Sequence, residues 1–182
     1  NDRRFVDEIV AQWYDWRAEN PYPIGINWAS SLEVSFRALS WLWVKRLIAD
    51  SLPKGFQRDL IAMLGISARH LQRYLSTFFS PNTHLLGEGV GLFFTGVLCP
   101  ELSSAHRWKK LGWKIILQES QRQVLPDGMH FEQATYYHVY ALDFFLHAAF
   151  LAARNDIAIP THLEKTIERM LDALLKIGRA HV

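Results

Sequence analysis

Two short segments of the chain gather side chains able to neutralise a carboxylate and to move a proton. One is Pro81-Asn82-Thr83-His84; the other runs from Gly128 through His130, Glu132, Gln133 and Tyr137 to His138. Amide, imidazole and phenol groups together can hold a developing negative oxygen by hydrogen bonds and shuttle a proton beside it. A third segment, Gly25-Ile26-Asn27-Trp28, sets an amide next to an indole, which makes Trp28 a candidate sugar-stacking ring. Other chemistries find less support. His130 and His138 lack the i, i+4 spacing of a helical metal pair and HExxH is absent, so no metal and no cofactor are expected. The single cysteine, Cys99, excludes an internal disulfide and a CxxC site. A GxSxG serine site is missing. A glycosidase needs two well-placed carboxylates; Glu88, Asp127 and Glu132 are the candidates, and none is persuasive.

Each of these residues also has a plainer role. Asn82 after a proline suits a helix N-cap, and His84, taken singly, suits a structural hydrogen bond. Tyr137 falls on an apolar stripe, which by itself suits a core tyrosine. Glu132 and Gln133 sit where a helix start favours such groups. Trp13, Trp16, Trp41 and Trp43 suit the core. The clusters say more together than any member says alone.

Those clusters must be positioned by helices. Apolar residues step by three or four through Leu32, Phe36, Leu39, Trp43 and Leu47, and again through Leu60, Leu64, Leu71, Tyr74, Leu75 and Phe78. The same period recurs at Trp108, Leu111 and Ile115, at Tyr137, Ala141, Phe144, Ala148 and Leu151, and at Leu163, Ile167, Met170, Leu171 and Leu174. Gly87, Gly89, Gly91 and Gly96 weaken a helix over 84–98, unless they serve a close approach of another helix or a ligand. Turn-rich connections such as Asn20–Gly25, Ser51–Gly55 and Pro126-Asp127-Gly128 separate the runs. The expectation is an all-α chain of about seven helices in antiparallel hairpins. The three polar segments each precede a helix, so in an up-and-down layout they share one rim, with free N–H groups facing an anion.

The chain has 182 residues, 49% hydrophobic and 21% charged, a globular composition. A formal charge of +2, with dispersed basic residues, gives no reason to expect nucleic acid. No apolar run is long enough to span a membrane. The chain opens at Asn1 with no Met and no signal-peptide pattern, so it reads as an interior piece of a longer protein. Residues 177–182 match what a common sequencing-library adapter encodes before a stop codon, leaving 1–176 as the domain.

Taken in order, the motifs resemble those of the heparinase II/III-like polysaccharide lyases. The resemblance is carried by Asn27-Trp28 with Glu33, Arg37 and Trp41, by Asn82-Thr83-His84-Leu85-Leu86-Gly87-Glu88, and by Asp127-Gly128 with Glu132, Tyr136, Tyr137 and His138. It covers roughly residues 20–155. It implies a partial (α/α) toroid followed, in the intact protein, by a β-sandwich domain that this chain does not contain. It also implies β-elimination on a uronate-containing polysaccharide such as heparan sulfate or alginate, in the periplasm or outside the cell. Tyr137 matches the family's general acid, and 82–84 its carboxylate-neutralising helix start. The family commonly has asparagine directly before the histidine, whereas Thr83 holds that place here. That leaves Asn82, Thr83 and His84 all open as the neutraliser. Glu132, Gln133 and His138 would either orient substrate or support the groups that touch it, while Asn27, Trp28 and Arg37 would line the groove. The family's sandwich-domain histidine has no counterpart, so the chain alone is expected to be inactive. A non-catalytic carbohydrate- or partner-binding helical module is the alternative, and a hydrolase on a helical barrel is a third reading.

Overall fold

The computed structural model describes residues 3–79 and 81–179, with side chains as far as 177. Among the described residues seven α-helices follow one another: α1 (Arg3–Glu19), α2 (Ser31–Leu47), α3 (Lys54–Arg73), α4 (Thr83–Leu98), α5 (Ala105–Arg122), α6 (Thr135–Ala153) and α7 (Thr161–Arg179). The described residues contain no strand, only one isolated bridge between Val124 and His130. The fold is all-α, as the periodicity predicts. No helix among these residues is long and apolar enough to cross a membrane.

Helix α4 is the centre of the packing. It lies against α2, α3, α5 and α6, and its residues from Leu85 to Gly96 are all buried. The glycines that lower its propensity explain how it fits there. A methyl group at Gly87 would come within 2.5 Å of Leu32 and 2.8 Å of Phe144, and one at Gly96 within 2.6 Å of the Ala105 carbonyl oxygen. Real Cβ atoms do not approach so closely. Close helix contact at these positions outweighs the ~1 kcal/mol that each glycine takes from helix stability. The expected weakness of 84–98 is therefore overturned by packing.

The α2 stripe also differs from expectation. Leu32 is buried, but Trp43 and Leu47 are half or more exposed. The buried positions instead run through Leu32, Val34, Ser35, Ala38 and Leu42. Helix α2 meets neighbours on more than one side, so a single stripe misses part of its buried surface.

Local chemistry fixes where the helices begin. Ser30 Oγ accepts from Glu33 N–H at the start of α2, and Asn82 Oδ1 accepts from His84 N–H at the start of α4 (3.1 Å). Helix α6 starts after Ala134, which has no side-chain acceptor to offer. Before it, Gln123–Phe131 forms a tight excursion in which Leu125 N–H donates to Met129 O and Phe131 N–H to Gln123 O, each at 2.8 Å. Gly128 stands at φ 92°, and a Cβ there would strike the Arg169 backbone. Only glycine meets both demands, and Asp127 completes the turn by accepting from Met129 N–H.

Candidate active site

The starts of α4 and α6 are tied together by one carboxylate. Glu132 Oε1 accepts from Asn82 Nδ2 at 2.9 Å, and Glu132 Oε2 accepts from the Thr83 hydroxyl at 3.0 Å. The tie spans some fifty residues of sequence. Gln123 Nε2 adds a bond to the Asn82 carbonyl (2.8 Å), and the Arg122 guanidinium donates to the Pro81 carbonyl. The segment around 82 is thus pinned from the α5–α6 side.

This pinning separates the three candidate neutralisers. Thr83 is buried and its hydroxyl proton is committed to Glu132. Asn82 uses its oxygen as the cap and one amide hydrogen on Glu132. His84 is half-buried, and no described residue hydrogen-bonds its imidazole. Among the three, His84 alone keeps its whole side chain available.

Beneath Glu132 lies a buried histidine pair. His130 Nε2 meets Gln123 Oε1 at 2.9 Å, and its Nδ1 faces Glu132 N–H at 3.4 Å. Burial, reinforced by nearby His138, pushes the His130 pKa down to about 4. The ring is therefore neutral near pH 7, and its 3.7 Å approach to Glu132 is no ion pair there. His138 is fully buried, with Nδ1 facing His130 N–H (3.2 Å) and Nε2 facing the Met170 carbonyl (3.0 Å). Its two nitrogens clasp the 130 loop to α7. Of the two roles the resemblance implies for His138, these contacts fit the supporting one: a ring with both nitrogens occupied inside the protein cannot reach a substrate. Gln133 stands exposed with φ 54°, a left-handed turn closed by its N–H on the His130 carbonyl.

Tyr137 does not join the core. It lies in the first turn of α6 with 43% of its surface exposed, beside His138, the first buried residue of the helix. Its ring meets Tyr136 edge-on at 5.8 Å, and no described residue bonds its hydroxyl. Tyr140, one turn on, packs against Phe36 and Phe144. Burial, with Tyr136, Glu33 and Tyr137 nearby, pushes the Tyr140 phenol up to about 12. Those neighbours set the start of α2 beside the start of α6, so the three helix starts do gather at one rim.

Asn27, Trp28 and Arg37 are placed otherwise than expected. Trp28 is only 4% exposed, with Tyr22 edge-on at 4.8 Å and the Arg37 guanidinium 5.1 Å from the ring centre. A ring so enclosed has no face left for a sugar. Arg37 lies among Trp16, Trp28 and Trp41 and donates to the Asn27 carbonyl (2.6 Å). Asn27 in turn bonds Asn20. These residues lock the α1–α2 connection, because aromatic and cation–π contacts consume most of their surfaces, and of the three only Trp28 reaches the wall of the cavity beside His84. One contributor carried no sequence signal of its own: Gln123 is a lone amide at a helix end. Glu88, which closes the 82–88 motif, is the sole carboxylate in apolar α4 and binds Ser76 N–H and hydroxyl at 2.7 and 2.6 Å.

A helical-hairpin chain with polar helix starts gathered at one rim has a clear counterpart among known proteins. Residues 1–179 match the family model described as Heparinase II/III N-terminus, and the chain belongs to that family. It is 34% identical to the heparin-sulfate lyase of Pedobacter heparinus over 97% of this chain and 28% of that protein. It is 32% identical to the heparin-sulfate lyase of Bacteroides stercoris, over 93% of this chain and 29% of that protein. The crystal structure of heparan sulfate lyase HepC from Pedobacter heparinus superposes with a TM-score of 0.76 at 29% identity, covering 96% of this chain and 28% of that one. A crystal structure of heparinase III shares the fold at a TM-score of 0.84 and 22% identity, over 95% and 27% of the two chains. The chain thus spans little more than a quarter of the length of the relatives it matches.

Proposed function

We infer that the chain is the toroid portion of a polysaccharide lyase that cleaves a uronate-containing glycan, heparan sulfate foremost, by β-elimination. In that reaction the C5–H bond breaks, its electron pair forms the C4=C5 double bond, and the C4–O bond breaks with its pair leaving on oxygen. The proton at C5 is only weakly acidic, so the adjoining carboxylate must be neutralised as charge builds on it. His84 takes that role, assisted by the second amide hydrogen of Asn82. Thr83 holds Glu132 instead, and Glu132 holds the segment in place. The Tyr137 phenol delivers a proton to the departing oxygen. The base that removes the C5 proton is either Tyr137 itself, which then passes a proton to the departing oxygen, or a group outside the chain. A polysaccharide too large to cross a membrane would be met in the periplasm or beyond it.

The observation that carries this reading is the Glu132 bridge, which fixes the 82–84 helix start beside the turn that delivers an exposed Tyr137. The test is the full-length gene product incubated with heparan sulfate, followed by ultraviolet absorbance of the unsaturated uronate. Product with the double bond is expected. Saturated reducing ends would mean hydrolysis, and binding without cleavage would mean a carbohydrate-binding module. The 182-residue chain alone is expected to release no unsaturated product.

A further inference from the structure

Beside His84 the surface opens into a cavity of about 530 Å³, within the ~300–1,000 Å³ of small-ligand sites. Its wall draws on Trp28 and Ser30 before α2, His70 and Tyr74 at the end of α3, and Phe79 in the connection to α4. Two features of this wall are left unsatisfied by the protein itself. His70 is 96% buried, by its 4% exposure, yet its Nδ1 has no hydrogen-bond partner, and no described residue pairs with its Nε2. A buried polar group left so costs ~1–3 kcal/mol. Phe79, for its part, stands 97% exposed.

The connection that carries Phe79 is anchored. Ser76 donates twice to the buried Glu88 carboxylate, and Ser31 Oγ donates to the Tyr74 carbonyl at 2.7 Å. A phenyl ring held in water on an anchored connection shares its cavity with an imidazole that packs among the Tyr22, Trp28 and Tyr74 rings but lacks hydrogen-bond partners. Together they suit a ligand with an apolar face and hydroxyls at its edge, which describes a pyranose ring.

We propose that this cavity is a sugar subsite adjoining the elimination site, where His70 hydrogen-bonds a hydroxyl of the bound pyranose and Phe79 covers its face. The proposal rests on the lyase reading for its ligand. His84 links the two places, since it belongs both to the 82–84 helix start and to the cavity wall. A uronate at His84 therefore sets a neighbouring residue of the same glycan beside His70.

The experiment compares kcat and KM of the full-length protein on size-defined heparan sulfate oligosaccharides. Phe79→Ala, at a site too exposed to affect folding, is expected to raise KM about 5–10-fold with kcat within about two-fold of wild type. His70→Ala is expected to raise KM about 5-fold, and His70→Gln, which restores a donor near Nε2, to recover most of that loss. Phe150→Ala, another exposed aromatic but at the far end of α6, leaves both constants unchanged. An unchanged KM for Phe79→Ala overturns the proposal, as does a lowered melting temperature with KM unmoved, which would make the ring a packing contact. Failure of the lyase reading is seen separately. If the full-length protein forms no unsaturated product, titration of its tryptophan fluorescence with the same oligosaccharides reads binding directly. Weaker binding by Phe79→Ala then still supports the subsite; equal binding, or none by wild type, overturns it.

Discussion

The rim formed by the starts of α4 and α6 and the tryptophan cluster between α1, α2 and α3 look alike in composition, for both mix aromatic rings with polar groups. They differ in what those groups are doing. In the cluster, Trp13, Trp16, Trp41 and Phe56 meet edge-to-face at 5.1–5.9 Å, and Arg37 fills the space beside Trp16. Burial pulls the Arg37 guanidinium below its ordinary pKa, and the group spends itself on rings and on one carbonyl. At the rim, Glu132, Thr83, Gln123, His130 and His138 satisfy one another, and the satisfied set leaves two side chains over: the His84 imidazole and the Tyr137 phenol. The cluster spends its groups on ring faces and one carbonyl and leaves Trp13 Nε1 and Arg37 Nε sealed inside without hydrogen-bond partners; the rim fixes its supports and leaves its working groups unpaired where a ligand can reach them.

The sharpest test of that contrast is Tyr137→Phe in the full-length protein. Turnover is expected to fall by roughly 10²–10⁴-fold, with little change in melting temperature because the hydroxyl has no partner. Near-normal turnover would remove Tyr137 from the mechanism. Arg37→Ala should do the reverse, lowering stability by about 3 kcal/mol in a denaturant titration while the folded fraction keeps its turnover. A loss of turnover out of proportion to unfolding would return Arg37 to the groove.

Acid should act next. His130 titrates near 4 in the folded protein against 6.5 as its ordinary value, so the unfolded chain takes up the proton first. The stability it contributes is present above pH 6.5 and is lost as pH falls toward 4, by about 2 kcal/mol between 6.5 and 5. Glu88, whose carboxyl is raised by burial against the opposing bonds from Ser76, tilts the curve the other way. The difference in melting temperature between wild type and His130→Gln across this range isolates the imidazole, and a flat difference would show that it is not buried neutral. The smallest effect is the bridge itself. A double-mutant cycle of Glu132→Ala with Asn82→Ala should give a coupling of about 1 kcal/mol, and additive single effects would mean that Glu132 does not hold the helix start.

Much of the site was legible in the chain because it depends on local rules. Pro81-Asn82 announces a helix start, Asp127-Gly128 a turn only glycine can make, and the order of the motifs the family. What misled was the reading of isolated side chains. Trp28 in a loop has the look of a stacking platform, but Tyr22 and Arg37, distant from it in neither sequence nor space, enclose it. His138 in the most recognisable block has the look of a working group, yet Met170 on α7 takes its second nitrogen. No local rule reports such partners.

Period, turn residues and helix caps determined that this protein would be a set of helical hairpins, since they act within a few residues of the backbone. Only the tertiary structure decided which polar groups were left over. Whether a hydroxyl, amide or imidazole is free depends on which acceptor arrives from another helix, as Glu132 arrives at Thr83 across 49 residues. It also decided that glycine-rich α4 would be a helix at the centre, because the close packing that rewards its glycines exists only once the neighbouring helices are in place.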